Sequence, residues 1–501
     1  MDHMKTTDIT PSRARPLRQI LVRVSSVVLV LATLTALFYA VENWRGSRAW
    51  TSTLEDLRSR GEKIALEDFE RAPVPDERNA AMHPALRCFT YTLPGGKRAM
   101  RLKTDPPDVA DAAMVAKWKA FLAWRLVSPD PFTKLYDVLD EENRDLAPAQ
   151  AAARELTPAL AEHMELMNAV EEALKRPFCQ WPPLAVSTKT DVSVRGDFFE
   201  TIGMSMMEAG RFFHVRKICE AIPAGALSAW DEGVGLNRFA QSAASQKTIG
   251  NFLLAAAISG QQEGLVINLL EFTQPDPERC FKAEAELAVQ PYLSGIIGDY
   301  LKGERAFLIA AISSVLAQED PSDLSRIMSG QAPAKGWARV EQVVRRYGPA
   351  GWLKQNLANT VRGTGELIGA FDPAMKPEDQ RQREAQVIAV SKSKGALFHW
   401  MERDTIGIYG GLYEPVIQTD TRRNLLRAAL LIAAHRSGTG VAPMSLDELP
   451  AELRSRIPVS PWNGDMPRIK RDEHGVWTLA YGGIEERKTG EPEFSVRIRS
   501  W

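Results

Sequence analysis

Asp76, Glu77, Asn79 and His83 fall within the short stretch RAPVPDERNAAMH (71–83). Two carboxylates, an amide and an imidazole so close together could coordinate a cation, grip a ligand or move a proton. Glu304 and Arg305, adjacent in GERA (303–306), offer a further acid and a guanidinium. A deep pocket lined by several of these six residues would mean catalysis or ligand capture, whereas a long, shallow concave helical surface without one would mean partner binding. The residues of 73–79 also have structural uses. Pro73 and Pro75 stiffen the backbone, Asp76 can cap a turn, Glu77 and Arg78 can stay solvated, and Asn79 can bond local backbone. The structural use is the one expected, with this stretch fastening the juxtamembrane segment to the rest of the chain.

Other chemistries lack their parts. A serine hydrolase of the α/β type needs a GxSxG turn, which does not occur, and Ser205 in GMSMM sits inside an amphipathic helical pattern. The histidines are scattered without HExxH. His214 and Cys219 are five apart, about 500° of helical rotation, so their side chains diverge. GTGELIG (363–369) has neither the preceding strand nor the lysine of a phosphate loop and reads as an interruption of a helix. DVLDEENRD (137–145) lacks the central glycine and final acid of a calcium loop. No catalytic residue, metal or cofactor is therefore expected. An envelope hydrolase with a non-motif active site is the alternative, because residues scattered along a chain escape any motif scan.

The elements that would position such residues begin with a hydrophobic segment. VSSVVLVLATLTALFYAV (24–41) is uncharged between Arg23 and Glu42, which suits a bilayer span and is too long for a signal-peptide core. Five basic residues against two acids precede it, so the positive-inside rule keeps residues 1–23 in the cytoplasm and places the rest outside, in the periplasm. This predicts an uncleaved single-pass anchor in the cell membrane. Cys88, Cys179, Cys219 and Cys280 would then meet an oxidising compartment that permits up to two disulfides in three connectivities. The 62 basic and 63 acidic residues nearly cancel, so no field exists to gather nucleic acid. Short basic runs such as Arg345-Arg346 and Lys392-Ser393-Lys394 do not change that.

Beyond the anchor, Trp50–Leu66 has helical spacing and residues 86–103 read as a β-hairpin about Pro94-Gly95-Gly96. Prolines 129, 131, 148 and 158 divide 110–176 into short helices. Phe198, Ile202, Met206, Ala209 and Phe213 form one helical stripe. Residues 252–259 and 265–272 read as two antiparallel helices joined by a loop at 260–264, with further helices at 281–301, 303–318, 336–347 and 380–402. Asp420 is placed to cap a helix ending at Gly438, Ser445 and Glu448 form a capping box, and two or three antiparallel strands follow VSPWNGDMP.

The chain is thus predicted to be mainly α. It comprises a cytoplasmic head (1–23), a transmembrane helix (24–41), a juxtamembrane helix with proline linker and hairpin (42–109), a helical-hairpin body (110–415) and a small α+β module (416–501). A tetratricopeptide-like array is the nearest repeat model, although no fixed period is present.

Several fragments in order, Trp50…Leu57 to Arg60-Gly61-Glu62, Pro73-Val74-Pro75-Asp76-Glu77 with Asn79, RPFCQWP (176–182), Gly303-Glu304-Arg305-Ala306, Gly351-Trp352 with Gln355-Asn356, and PMSLDELP to LAYGG, together resemble an uncharacterised group of bacterial proteins. That group has one N-terminal membrane helix and a mostly helical extracytoplasmic body, and brings no activity with it. The C-terminal part, with Ser460-Pro461-Trp462-Asn463-Gly464 between a long helix and a small sheet, resembles the soluble end of type II secretion major pseudopilins. Those have an aspartate where Ser460 stands and a glutamate inside the hydrophobic segment, which 24–41 lacks. The resemblance implies at most a secretion-apparatus accessory subunit. A membrane-anchored scaffold that binds envelope proteins is the leading expectation.

Overall fold

Uncharged residues 24–41 lie within a single helix, α1 (Ala14–Ser59), that runs unbroken for 46 residues, about 69 Å at 1.5 Å per residue. The structure is a computed structural model that describes residues 14–69, 72–92, 98–100, 111–127, 132–140, 146–181, 203–224, 227–231, 240, 247–316, 348–471, 477–482 and 495–498. Every side chain from 19 to 41 is exposed, and the helix is long and apolar enough to cross a membrane. Three hydroxyls of the apolar run are satisfied within the helix: Ser26, Thr33 and Thr35 each donate to the carbonyl four residues back at 2.8 Å, so they need no water.

After α1 come 3-10 turns at Leu66–Phe69, Asp76–Arg78 and Ala80–Met82, then α2 (Pro84–Arg87) and the paired strands β1 (Thr90–Thr92) and β2 (Arg98–Met100). These strands are antiparallel with Thr90 opposite Met100; the expected Pro94-Gly95-Gly96 turn lies outside the described residues. Helices α3 (Ala112–Arg125), α4 (Thr133–Asp140), α5 (Leu146–Ala161) and α6 (Met164–Leu174) follow. Neither Pro148 nor Pro158 ends a helix. Pro148 falls in the first turn of α5, where its missing N–H has no intrahelical partner to lose, and Pro158 is internal.

α7 (Met204–Ala224) precedes the short α8 (Ser228–Asp231). Of the predicted stripe, Met206, Ala209 and Phe213 are buried, while Phe198 and Ile202 lie outside the described residues. Ser205, Phe212, Val215 and Ile218 are buried too, because α7 is packed against both α5 and the long helix that follows α8. That helix, α9 (Ile249–Phe272), corrects the expected helical pair, since it runs straight through residues 260–264. Gly264 leaves space for the His214 ring, whose Cε1 would be 3.3 Å from an added Cβ, and Gly210 of α7 accommodates Gln261. A loop here would bury unpaired backbone polar groups, which a continuous helix avoids.

α10 (Pro277–Ala288), α11 (Leu293–Leu316), α12 (Ala350–Ala370), α13 (Pro377–Ser393), α14 (Ala396–Tyr409) and α15 (Tyr413–Thr439) complete the helical part; the helix expected at 336–347 lies outside the described residues. GTGELIG does not interrupt anything, for α12 passes through it. Gly363 faces Glu402 of α14 and Gly365 faces Arg305 of α11, so these glycines allow neighbouring side chains to approach. Residues 380–402 form parts of two helices, with Gly395 as the N-cap of α14.

Asp420 caps a helix other than its own. It is buried inside α15, and its two carboxylate oxygens accept from the N–H groups of Leu293 at 2.8 Å and Ser294 at 2.9 Å, at the start of α11. α15 ends at left-handed Gly440, φ +73°, rather than at Gly438. The expected capping box is also rearranged: Ser445 makes no side-chain cap bond, and Glu448 accepts from Met444 N–H at 2.7 Å. The short α16 (Ala451–Arg454) leads to the SPWNG turn, where Ser460 Oγ accepts from Trp462 N–H at 3.2 Å. Strands β3 (Arg468–Arg471), β4 (Trp477–Ala480) and β5 (Ser495–Ile498) form an antiparallel sheet in that order, and β4 and β5 pack on α15.

The described residues are mainly helical, at 76%, and two apolar clusters organise them. The larger takes residues 80–89, helices α3 to α7, α10, the second half of α15 and the C-terminal sheet. The second gathers α11, α13, α14 and the start of α15 around Tyr300, Tyr409 and Tyr413. α9 and α15 contribute to both clusters. Each fully buried Leu, Ile or Phe contributes about 1.5–3 kcal/mol, so these two helices bind the clusters together.

Candidate functional site

Residues 76–83 and 176–181 form one joint. Asn79 is buried and uses its whole amide: Nδ2 donates to Gln180 O at 2.8 Å, and Oδ1 accepts from Gln180 N–H at 2.8 Å and Ala81 N–H at 3.2 Å. Backbone bonds continue the contact, with Ala80 N–H donating to Phe178 O at 2.7 Å and Phe178 N–H to Arg78 O at 3.2 Å. Arg176 Nη1 donates to the carbonyls of Asp76 and Asn79, and the Arg78 guanidinium lies 5.0 Å from the Phe178 ring centre. Asp76 opens its 3-10 turn instead of capping it, since Pro75 holds the cap position. Asp76 and Glu77 are exposed.

His83 is half-buried and caps α2, its Nδ1 accepting from Ala85 N–H at 3.2 Å. Burial and the nearby Arg176 charge hold its pKa below the usual histidine value, which keeps Nδ1 available as an acceptor. One ring nitrogen is thus committed to structure.

Glu304 and Arg305 belong to other joints. Glu304, on α11, is buried against the start of α9, accepting from Ile249 N–H at 3.1 Å and from the Tyr409 hydroxyl. A carboxylate there satisfies an orphan donor and favours the helix dipole. Arg305, also buried, forms an ion pair with Glu62, just beyond α1. Gly303 lets the Lys247 carbonyl approach within 1.9 Å of where a Cβ would stand. Four of the six candidates thus serve structural contacts in two regions: Asn79 and His83 organise the 76–83 stretch, while Glu304 and Arg305 point to α9, α14 and Glu62.

A further joint, none of whose residues was among the six expected site residues, attaches α1 to α12. Gly46 and Gly351 meet backbone to backbone: a Cβ on Gly46 would lie 2.0 Å from Gly351 O, and one on Gly351 would lie 1.9 Å from Glu42 O. Buried Glu42 accepts from Trp352 Nε1 at 3.0 Å and Gln355 Nε2 at 3.4 Å, and pairs with Arg45 at 2.7 Å. Asn43 Oδ1 accepts from Gly351 N–H at 2.8 Å, and Lys354 Nζ donates to Ser47 Oγ at 3.0 Å. Phe38 meets the Trp352 ring edge-on with centroids 5.8 Å apart. Gly351, Trp352, Gln355 and Asn356 stood out in sequence, but their partner did not. The signal that could have found it is a glycine in a helical run, just past an acid and an asparagine that close an apolar segment.

Buried titratable groups elsewhere are mostly paired. Arg125 and Glu208 form an ion pair at 2.7 Å, and Glu284 holds both Arg427 and Arg456. Glu263 differs, for neither carboxylate oxygen has a hydrogen-bond partner and the nearest cation, Arg423 Nε, is 3.6 Å away. Burial pushes its pKa up to about 7. The four cysteines carry no disulfide, contrary to the bridges that their even number permits. Among the described residues no group of three or more His, Cys, Asp or Glu could hold a metal ion. A cavity lined by Trp230, Gln262, Leu265, Leu269 and Leu287 has a volume of about 20 Å³, room for about one water. No protein-family model, curated protein or solved structure matches the chain.

Proposed function

We propose that this protein is a single-pass, membrane-anchored scaffold of the cell envelope, whose helical body binds protein partners outside the cytoplasm. The observation that carries this reading is the continuity of α1. Its apolar half is exposed on all sides, and without a break its following turns are bolted to α12 through Gly46, Gly351 and Glu42. A rigid helix of this kind would hold the body at a set height and orientation on a membrane, which suits a docking platform better than a loosely tethered enzyme. The separation of Asn79 and His83, in the 76–83 joint, from Glu304 and Arg305, which bond α9, α14 and Glu62, argues the same way. A secretion-apparatus accessory role is the second reading, favoured by the sequence of long helix α15, SPWNG turn and three-stranded sheet.

Two measurements test the reading. C-terminal fusions to a reporter enzyme that is active only outside the cytoplasm should be active, and a fluorescent reporter that matures only inside should be dark; the reverse pattern would overturn the orientation. Brief crosslinking in intact cells, followed by capture of the full-length protein, should recover a stoichiometric envelope protein. Capture of the protein alone, with a hydrolytic activity in the same preparation, would replace the scaffold by the enzyme.

A further inference from the structure

The body reaches beyond the end of the apolar segment. Exposure along α1 drops from 57% at Leu34 and 59% at Leu37 to 47% at Phe38, 36% at Tyr39 and 45% at Val41. The covering group at Phe38 is Trp352, in the first turn of α12, and Trp352 in turn meets Phe398, in the first turn of α14, with ring centroids 5.9 Å apart. Phe38 lies four residues on the apolar side of Glu42, about 6 Å along the helix axis. Trp352 therefore stands level with the last turn of the apolar run, at the depth where a bilayer passes from hydrocarbon to headgroups, with Phe398 packed beside it.

From this geometry we infer that the first turns of α12 and α14 form a foot that rests in the lipid interface beside α1. The inference depends on the membrane-anchored reading above. The chemistry of the foot fits that occupant. Trp352 offers an apolar ring while its indole N–H is already satisfied by Glu42, and half-buried tryptophan and phenylalanine suit the interfacial belt. On the outer face of α1, about 9 Å past Phe38 along the helix axis, Trp44 is 61% exposed with the Arg48 guanidinium 5.6 Å from its ring centre. Arg45 and Arg48 are exposed there as well, placed for phosphate groups. Aromatic groups thus flank α1 from Phe38 to Trp44, where the apolar run ends. The direct continuity of the foot with the exposed apolar run at Phe38 favours lipid over a second protein copy as its occupant.

The test uses the full-length protein reconstituted into vesicles of phosphatidylethanolamine and phosphatidylglycerol, doped with a phospholipid that carries a photoactivatable diazirine near the glycerol end of its acyl chain. After illumination, adducts are mapped by peptide mass spectrometry. Adducts are expected on residues 24–41 and, several-fold above the level on β3–β5, on the peptides containing Trp352 and Phe398. Adducts on 24–41 with none on Trp352 or Phe398 would overturn the foot and leave the anchor standing. Absence of adducts from 24–41 would overturn both, as would uniform labelling of the whole body.

Discussion

Asn79 and Gln180, 101 residues apart, exchange two hydrogen bonds of 2.8 Å, one in each direction between the asparagine amide and the glutamine backbone. The asparagine side chain mimics a strand neighbour, and this explains why an asparagine occupies the position: only an amide offers a donor and an acceptor in that geometry. Replacing it by alanine strips partners from Gln180 N–H, Gln180 C=O and Ala81 N–H. Asn79→Ala is expected to cost about 2–4 kcal/mol, seen as a lower melting temperature of the full-length protein and faster tryptic cleavage after Lys175, since Pro177 protects the bond after Arg176. Asn79→Asp should do at least as much damage, because a carboxylate would face the Gln180 carbonyl. Unchanged melting and cleavage in both variants would show that the joint is not structural.

The Gly46–Gly351 contact makes a prediction of opposite sign at two glycines. Alanine is the better helix former by about 1 kcal/mol, so Gly260→Ala, where nothing lies within 4 Å, should leave stability unchanged or raise it. Gly46→Ala should instead destabilise by about 1–3 kcal/mol, since its Cβ would meet Gly351 O at 2.0 Å. Hydrogen exchange at residues 42–57 reads the difference directly: it should accelerate in Gly46→Ala and stay as in the parent in Gly260→Ala. Equal exchange in the two variants would mean that α1 does not depend on this seam.

Two buried groups give the protein opposing pH responses. Burial raises Glu263 from 4.5 to about 7 against the pull of Arg423 and Arg422. Between those values the unfolded chain releases the proton while the folded chain retains it, so this residue lowers stability as pH rises from about 4.5 to about 7. Glu263→Gln should remove that decline, a difference on the order of 3 kcal/mol at most above the window. Burial lowers His214 from 6.5 to about 4, so the unfolded chain takes up the proton first and stability is lost as pH falls through that range. Asn268 Nδ2, 3.3 Å from His214 Nε2, suits a neutral ring. Denaturation midpoints of Glu263→Gln and His214→Gln, measured across pH, should diverge from the parent in opposite directions. Parallel curves would remove the assignment.

Cysteine chemistry provides a check on packing. Burial pushes Cys219 and Cys280 up to about 12, leaving almost no thiolate at mildly alkaline pH. Cys179 is half-buried. Iodoacetamide should therefore modify Cys179 first, with Cys219 and Cys280 reacting only after denaturant is added. Alkylation of all three at one rate in the folded protein would contradict the burial of α7 and α10.

Residues singled out in sequence became parts of joints that sequence reading could not assemble. RGE (60–62) meets GERA (303–306) through Glu62 and Arg305, PVPDERN meets RPFCQWP through Asn79, and the Gly351-Trp352 motif meets Glu42 and Gly46. Residue type announced that something must be bonded, as with a buried-prone asparagine between prolines and an apolar run. The partners lie 101 to 313 positions away, and nothing in local spacing encodes such a distance.

What the sequence determined by itself is local and periodic. An uncharged run of 18 residues makes an apolar helix whatever surrounds it, because backbone groups are satisfied within the helix; alternation about a turn makes the β1–β2 pair for a similarly local reason. Tertiary structure decided the rest. Whether residues 260–264 would be loop or helix turned on the neighbours packed around them, α7 at Gln261 and Gly264 and α15 at Glu263, and Asp420 could serve α11 only because α15 brings it there. Glycine, asparagine and aspartate have weak conformational preferences of their own, so the strong cost of burying an unpaired polar group, known only once neighbours are placed, determines their roles.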